Sequence, residues 1–184
     1  ESAKPMHFDG IGETSCIQIF NQFVVVGSWL ERKLVAYSTK DNSRTEKSLT
    51  SMVGSLCLFG EHLVVATVDG LITILNEDLE TVQTVKKFKN LVRLTSWGNK
   101  ALIHNKNLCL LVEEDGVFRA RRLLYGDVHS VEFVDEDLLA VTNNCTTHLL
   151  RIGNASLGSW KLYDFEEFTC CMALLDSQTL VFVD

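Results

Sequence analysis

Short apolar runs recur along the chain at a nearly constant spacing. Four of them begin at Phe23, Leu63, Ala101 and Leu138, and a fifth begins at Leu180. The steps between these positions are 40, 38, 37 and 42 residues. Apolar runs this short, bounded by turn-forming residues, are typical of buried strands rather than of helices. A repeat of this length, with several short strands in each unit, predicts the blades of a β-propeller.

The plan of one unit is clearest between residues 53 and 85. Leu56 and Leu58 share one face of a first strand, because alternate residues of a strand point the same way. Asp69-Gly70 predicts a tight hairpin, since glycine accepts the positive φ that such turns need. The second, third and outer strands of this unit are predicted over 63–67, 71–75 and 81–85.

The segment 128–162 repeats this plan, with a hairpin predicted at Asn143-Asn144. An alternative exists for 76–92, where apolar residues recur at helical spacing and Asn76 is a suitable helix N-cap. The apolar residues concerned are Leu79, Val82, Val85 and Phe88. Alignment with the neighbouring units favours an outer strand over a helix at this position.

Two stretches resemble the core of a WD-repeat propeller blade. They are FGEHLVVATVDGLITILN over 59–76 and VHSVEFVDEDLLA over 128–140, and the resemblance extends over most of residues 15–184. The Gly-His pair of that family is absent, and its Trp-Asp pair is replaced by Tyr37-Ser38, Leu75-Asn76, Leu111-Val112 and Leu150-Arg151. The resemblance therefore implies a diverged propeller, whose blades rely on apolar packing instead of the family's buried hydrogen-bond network.

The predicted fold class is all-β, a β-propeller of four-stranded antiparallel blades with about four and a half blades present. The blades are predicted over about 15–50, 54–88, 91–124 and 128–163, with a half blade over 168–184. Residues 1–14 are predicted to form an N-terminal extension or a closing strand. Because a propeller needs a closed ring, we expect the chain to be part of a longer protein. We expect the ring to be completed by missing sequence or by another chain.

The charge balance limits the partners of the chain. It has 184 residues, with 17 Lys and Arg against 24 Asp and Glu, and a net charge of −7. An acidic protein has little general affinity for nucleic acid or anionic membranes, and no apolar run approaches the ~20 residues that span a bilayer. Local basic positions are the exception, and an RNA-binding propeller that uses them is an alternative. These positions are Lys86, Lys87, Lys89, Arg119 and Arg121.

Cysteine usage favours a cytoplasmic or nuclear location. The six cysteines lie inside apolar, strand-like stretches, which is typical of buried thiols in a reducing compartment. The alternative is secretion, with which two glycosylation sequons, at Asn144 and Asn154, are compatible.

No sequence motif indicates catalysis, a metal or a cofactor, and we predict that the chain is not an enzyme. Cys145 and His148 are three residues apart, so on a strand they point to opposite faces and cannot share a metal. A nucleophilic pair of Cys109 with His104 or His129 is formally available. Nothing in the spacing brings these side chains together.

The strongest candidate for binding is the segment 27–33, a hairpin about two residues longer than those of the other units. Tryptophan and arginine are enriched in binding hot spots, which favours Trp29 and Arg32; the alternative is that Trp29 folds back over its own strand pair. The candidate partner-binding residues are Trp29, Glu31, Arg32, Lys87, Asn105 and Asn143. The segments between blades, 48–54, 86–91, 124–129 and 163–168, are expected to share this face, whereas Trp97 and Trp160 are expected to be structural.

The predicted function is that of a non-catalytic scaffold or recognition subunit in a larger multi-subunit assembly. The resemblance implies protein partners, as in ubiquitin ligases, coat and tethering complexes, nuclear pores or RNA-processing machines. Two alternative functions are an RNA-binding propeller in RNA processing and a ubiquitin-ligase substrate receptor. Propeller folds carry many functions, so the architecture alone does not choose between them.

Overall fold

The computed structural model describes residues 11–89, 92–126, 128–143, 146–152, 158–164, 171–176 and 179–183. At 86–87, at 125 and after residue 152 the description concerns the backbone alone. The described residues form β-strands joined by turns and contain no helix, and hence no helix long and apolar enough to cross a membrane.

In the described residues, eighteen strands form four four-stranded sheets and one two-stranded sheet. The first sheet contains β1 (Thr14–Phe20), β2 (Phe23–Ser28), β3 (Lys33–Ser38) and β4 (Arg44–Ser48). The second contains β5 (Val53–Phe59), β6 (His62–Thr67), β7 (Leu71–Leu75) and β8 (Thr81–Lys87). The third contains β9 (Arg93–Trp97), β10 (Lys100–His104), β11 (Asn107–Glu114) and β12 (Val117–Tyr125). The fourth contains β13 (Val128–Phe133), β14 (Leu138–Asn143), β15 (Thr146–Arg151) and β16 (Gly158–Asp164), and the fifth contains β17 (Cys171–Asp176) and β18 (Thr179–Val183).

Every sheet is an antiparallel meander in which strands pair in chain order. The first strands of successive sheets contact one another, β1 with β5, β5 with β9, β9 with β13 and β13 with β17. The first strand of each four-stranded sheet is therefore innermost and the fourth outermost, as in the blades of a propeller. The predicted fold class, all-β with four-stranded antiparallel blades, is confirmed.

A buried apolar layer fills each seam between two successive four-stranded sheets. Leu34 of β3 lies in the layer between the first and second sheets, together with Leu63 of β6. Ile74 and Ile103 lie in the layer between the second and third sheets, and Leu139 lies in the next one. All five side chains are at most 1% exposed, and full burial of such a side chain contributes about 1.5–3 kcal/mol. The stack is held together mainly by these layers.

Polar side chains also cross the seam between the second and third sheets. Ser55 Oγ accepts a hydrogen bond from the Leu94 backbone N–H at 3.1 Å, and Ser96 Oγ accepts one from Leu58 N–H at 3.3 Å. At the outer rim, Gln83 Nε2 donates to the Phe118 carbonyl at 2.7 Å while Gln83 Oε1 accepts from the Phe118 N–H at 2.9 Å. We call this paired contact the Gln83 clamp.

Small polar side chains add hydrogen bonds to the apolar packing within the blades. Thr67 Oγ1 donates to Asp69 Oδ1 at 2.7 Å within the hairpin of the second sheet. In the fourth sheet the buried hydroxyls of Thr142 and Thr147 lie 3.1 Å apart and share a hydrogen bond. Small polar side chains near the end of the second strand thus provide a local network where the family's Trp-Asp pair is absent.

Two local predictions need correction. Lys86 and Lys87 were expected between blades, but they belong to β8, where they pair with Ile72 and Leu71. A register shift between Ile72 and Thr73 keeps this ladder paired to the end of the strand, so residues 76–87 contain an outer strand and no helix. Asn143 was expected in a turn, but it is the last residue of β14 and pairs with both strands beside it.

The connections between sheets are shorter than predicted for the same reason. Residues 48 and 53–54 lie in strands, as do 124–125, 128–129 and 163–164. Backbone pairing extends further than the apolar pattern, because the polar residues at strand ends still form ladder hydrogen bonds. The remainder of the predicted segment 163–168 lies outside the described residues.

Candidate functional site

The turns of this stack lie at two opposite edges, because successive strands of each meander run in opposite directions. The β2–β3 turn, residues 29–32, lies at the same edge as the β10–β11 turn and the connections between sheets. We call this the Trp29 edge. The β1–β2, β3–β4 and equivalent turns lie at the opposite edge. The six candidate residues predicted from sequence all lie at or next to the Trp29 edge.

The Trp29 turn, residues 29–32, is fixed to its surroundings by several hydrogen bonds. The Trp29 N–H donates to the Glu13 carbonyl at 2.9 Å, and the Glu31 N–H donates to Ser28 Oγ at 3.1 Å. The Arg32 carbonyl accepts from Leu49 N–H at 2.8 Å. Arg32 itself has a φ of 52°, a left-handed conformation that requires such support in a residue with a Cβ. The turn is therefore held in one shape before any partner binds.

An ion pair reinforces this shape on one side of the turn. Lys33 Nζ lies 3.2 Å from Glu31 Oε2 and 3.4 Å from Glu46 Oε1. The Glu31 carboxylate is the main reason that the pKa of Lys33 is raised. Glu31 is thereby oriented toward its own sheet, whereas the exposed Arg32 makes no ion pair within the described part of the chain.

The side chains that the turn presents differ partly from those predicted. Trp29 is half-buried, and Glu31 and Arg32 are exposed. Leu30, which is not among the predicted binding residues, is 60% exposed and is among the most exposed large apolar residues of the described chain. A solvent-exposed leucine between a tryptophan and an arginine is an ordinary composition for the centre of a protein interface.

Asn105 and Asn143 lie close to one another, on either side of Val128 at the start of the fourth sheet. The Val128 N–H donates to the Asn105 carbonyl at 2.8 Å, and Val128 pairs with Asn143. Asn105 Oδ1 accepts from Asn107 N–H at 3.2 Å, which shapes the β10–β11 turn. A Cβ on Gly126, whose φ is 120°, would lie 3.0 Å from Asn143 Nδ2. Both residues lie on different sheets from the Trp29 turn.

The basic positions of the RNA alternative lie on or next to the outer strands of two neighbouring sheets, β8 and β12, which contact one another. Lys86 and Lys87 belong to β8, Lys89 follows it and is exposed, and Arg119 and Arg121 are exposed on β12. The first group lies on the second sheet and the arginines on the outer strand of the third. The structure thus places them on two separate elements of the rim.

The turns at the opposite edge are strongly acidic. Between the first two sheets this edge has a groove of about 780 Å³ that contains Phe23, His62 and Asn76. The charged residues of the described turns at this edge are Lys40, Asp41, Glu61, Glu77, Asp78, Glu80, Asp115, Asp135, Glu136 and Asp137. Such an edge repels polyanions, since Lys40 is the one basic residue among these described turn residues.

One flank of the first sheet is not covered by any other described sheet. Ile17 and Ile19 of β1 are 56% and 67% exposed. They share a face with Val26, which belongs to a small buried cluster containing only first-sheet residues and Ile11 within the described chain. We call this flank the open face. An apolar strand face of this kind is typical of a protein contact surface.

The fold separates Cys109 from His104, one of its two candidate partners in a nucleophilic pair. Burial raises the pKa of Cys57 to about 12, and burial also raises that of Cys16, so both are thiols at neutral pH. Cys109 packs with Ile103 toward the second sheet. His104 follows Ile103 directly and therefore points to the opposite face of its sheet. His104 and Cys109 cannot reach one another.

His104 is nonetheless unusual, since it is a buried polar residue inside a strand. It is 4% exposed, and its Nδ1 has no hydrogen-bond partner among the described residues. Burial, with a further effect from the Arg93 charge, lowers its pKa to about 4. The imidazole is neutral at physiological pH. No group of three or more His, Cys, Asp or Glu side chains in the described chain is arranged to hold a metal ion.

Trp97 was expected to be structural, and its ring does contact Phe133 with a centroid distance of 6.4 Å, although 46% of the residue is exposed. The side chain of Trp160 lies outside the described part of the chain, as do Cys145 and the Asn154 sequon.

The chain matches no protein-family model and no curated protein. Its fold, however, is similar to solved structures. The computationally designed Ika8 protein is 11% identical with a TM-score of 0.71, over 89% of this chain and 53% of that one. U3-55K is 10% identical with a TM-score of 0.72, over 92% of this chain and 57% of that one. The designed Ika4 protein is 9% identical with a TM-score of 0.64, over 89% of this chain and 100% of that one.

At these identities the similarity concerns the fold alone. The chain spans only 53% and 57% of the Ika8 and U3-55K chains, and it spans all of Ika4. Together with the sheet order, the comparisons show an architecture of repeated, propeller-like β-sheet blades.

Proposed function

We propose that this chain is a protein-interaction module, a diverged WD-repeat-like propeller that acts as a scaffold or recognition subunit in a larger assembly. We also propose a cytoplasmic or nuclear location, since the described buried thiols suit a reducing compartment. A ubiquitin-ligase substrate receptor is one more specific form of the same function.

The observation that carries the proposal is the fixed Trp29 turn. Its backbone is hydrogen-bonded to residue 13, to Ser28 and to Leu49, while Leu30 and Arg32 are exposed. A turn ordered in advance loses little conformational entropy when a partner binds, which strengthens binding for a given contact area. Apolar and arginine side chains displayed on such a turn are suited to a protein partner.

The open face supports a second contact of the same module. We propose that Ile17 and Ile19 are covered by a further sheet of blade type, supplied by the remainder of a propeller or by another chain. Residues at the same register of the second sheet, Leu56 and Leu58, pack against the first sheet in this manner. An uncovered apolar strand face would otherwise promote aggregation.

The experiment is affinity purification of the full-length protein from cells, with mass spectrometry of what co-elutes. Alanine at both Trp29 and Arg32 should remove stoichiometric protein partners while the melting temperature stays unchanged. Lys106→Ala, at an exposed turn of the same edge on the third sheet, is the matched control and should retain them. Equal losses in both variants, or a parallel fall in melting temperature, would contradict the assignment to the Trp29 turn.

The RNA-binding alternative makes a different prediction for the same purification. Partners held through RNA are lost on nuclease treatment, and their affinity falls steeply with salt. Retention of the partners after nuclease treatment would exclude this alternative.

A further inference from the structure

The seam between the third and fourth sheets contains two buried polar atoms at the Trp29 edge. They belong to His104, the last residue of β10, and to Asn143, the last residue of β14, which we call the polar pair. His104 is 4% exposed, and its Nδ1 has no hydrogen-bond partner within the described part of the chain. Asn143 Oδ1 is also buried without a partner among the described residues. Since buried polar atoms in folded proteins are nearly always hydrogen-bonded, two exceptions at one place indicate a function.

The strand pairing directs both side chains into this seam. His104 pairs with Leu108, and Asn143 pairs with Val128. Leu108 and Val128 belong to the apolar layer between the third and fourth sheets, and cross-strand partners project from the same face of a sheet. The ladders of β10 with β9 and β11, and of β14 with β15, have no register shift over their paired residues. The Val128 N–H also donates to the carbonyl of Asn105, the residue after His104, which brings the two strand ends together.

The seam between the first and second sheets has different residues at these positions. Val53 takes the place of Val128 there, since each pairs with the last residue of a second strand beside a register shift. Gly27 faces Val53 so closely that an added Cβ would lie 2.6 Å from Val53 Cγ1. Thr67, which pairs with Val53, uses its hydroxyl within its own hairpin. A large polar side chain facing a second one is therefore specific to the later seam and is not a general property of the repeat.

The charges around the polar pair favour an uncharged ligand. Asn143 Oδ1 is an acceptor, which disfavours an anion. Arg93 pairs with His104 across the strands, and its positive charge disfavours a second cation. Burial and this charge lower the pKa of His104 to about 4, so its imidazole is neutral and has one N–H and one lone pair. An amide or a hydroxyl, which both donates and accepts, satisfies the two atoms whichever ring nitrogen carries the proton.

We propose that the polar pair is a recognition site for an uncharged hydrogen-bonding side chain, an amide or a hydroxyl, of a protein partner at the Trp29 edge. The group enters beside the exposed Gly126, whose added Cβ would lie 3.0 Å from Asn143 Nδ2. It donates to Asn143 Oδ1 and then reaches the more deeply buried His104 Nδ1. Such a site discriminates strongly, because a partner without this group leaves buried polar atoms unpaired. The inference rests on the proposed function for a protein as partner, but not on the Trp29 turn.

The first test is an NMR titration of the full chain with acetamide at neutral pH. Acetate and ethylammonium, which are of similar size but charged, are the controls. Acetamide should produce saturating shifts of the His104 ring, the Asn143 side-chain amide and the Val128 backbone amide, and the charged molecules should not. The absence of a saturating shift, or an equal response to all three molecules, would overturn the proposal.

A double variant makes this test specific to the polar pair. His104→Phe with Asn143→Leu removes both unpartnered atoms while keeping side chains of similar size, so the melting temperature should not fall. The acetamide shift at Val128 should disappear. The matched control makes the same two changes at the opposite edge, His62→Phe with Asn99→Leu, and should retain the shift. A Val128 shift that persists in a folded His104–Asn143 variant would contradict the site.

Purification of the full-length protein separates this inference from the proposed function. The His104–Asn143 variant should recover the wild-type partner at least about tenfold less well, as expected when a buried hydrogen-bonding group loses its counterpart. Full recovery with this variant, together with loss in the Trp29 and Arg32 variant, would overturn the polar pair and leave the proposed function intact. Loss with the His104–Asn143 variant alone would support the polar pair and contradict the assignment to the Trp29 turn.

Discussion

The same face of two neighbouring sheets has very different surroundings in this molecule. Ile17 of β1 and Leu56 of β5 occupy equivalent register positions, paired with Val26 and Val65 respectively. Ile17 is 56% exposed and Leu56 is 7% exposed. The two sequences are equally apolar at this position, so the difference arises from what covers each face.

The apolar pattern of a blade indicates which position of the repeat a residue occupies. It does not indicate whether that residue is buried, because burial depends on a neighbouring sheet. Leu56 is covered because the first sheet packs against it. The equivalent face of the fourth sheet, at Val131 and Phe133, is likewise covered by the third sheet and is at most 3% exposed. The open face of the first sheet therefore has the same apolar character, and it differs in that no described sheet packs against it.

The largest expected effect comes from truncating the covered member of this pair. Leu56→Ala should lower the free energy of unfolding by about 2–5 kcal/mol, since it leaves a cavity in a packed seam. Ile17→Ala should change it by less than about 0.5 kcal/mol, as expected for an exposed position. Urea denaturation of both variants measures the difference. Similar losses in the two variants would mean that Ile17 is covered by a neighbour in solution.

The second-largest expected effect is a loss of folding stability at low pH, caused by His104 in the seam between the third and fourth sheets. The pKa of His104 is lowered from 6.5 to about 4 by burial, so the folded state binds fewer protons than the unfolded state between these values. Stability is fully present above pH 6.5 and declines as pH falls toward 4, by up to about 3 kcal/mol from this group. A thermal denaturation series from pH 7.5 to 4 measures the decline. His104→Gln should flatten the dependence of melting temperature on pH in this range. An unchanged pH dependence in this variant would show that His104 is not the cause of the decline.

Much of the architecture could be predicted from the sequence, because strand length and turn chemistry are local properties. The apolar runs at Leu63 and Leu138 coincide with second strands, and Asp69-Gly70 lies at a hairpin. Strand ends were predicted less well. Lys87 and Asn143 are polar, yet the backbone ladder continues through both.

The seam contacts could not be predicted because they depend on which sheet lies opposite. Nothing local distinguishes Gln83 from the other polar residues of its strand, although it alone forms the clamp to Phe118. Gly27 was interpreted as the start of a hairpin. It lies within β2, where an added Cβ would come within 2.6 Å of Val53 Cγ1 across the first seam. At the candidate site, Trp29 and Arg32 were identified from residue type, whereas the exposure of Leu30 required the structure.

A smaller effect is expected at the Gln83 clamp, the polar contact at the outer rim of a covered seam. Gln83→Met keeps the length of the side chain but removes both hydrogen bonds to Phe118. The expected loss is about 1–2 kcal/mol, as two hydrogen bonds at a half-buried site contribute about that much. Faster amide exchange at Phe118 should accompany the loss. If the methionine variant unfolds at the wild-type urea concentration, the clamp does not stabilise the seam.

The smallest expected effect lies at the seam between the third and fourth sheets, on the acidic edge. Lys100 Nζ lies 2.6 Å from Asp137 Oδ1 and donates to the Glu136 carbonyl at 3.0 Å. The Asp137 carboxylate is the main reason that the pKa of Lys100 is raised, but this carboxylate is 54% exposed. Lys100→Met should therefore cost less than about 1 kcal/mol, and the difference from wild type should shrink in high salt. A loss as large as that of Leu56→Ala would show that polar contacts, and not the apolar layers, hold the sheets together.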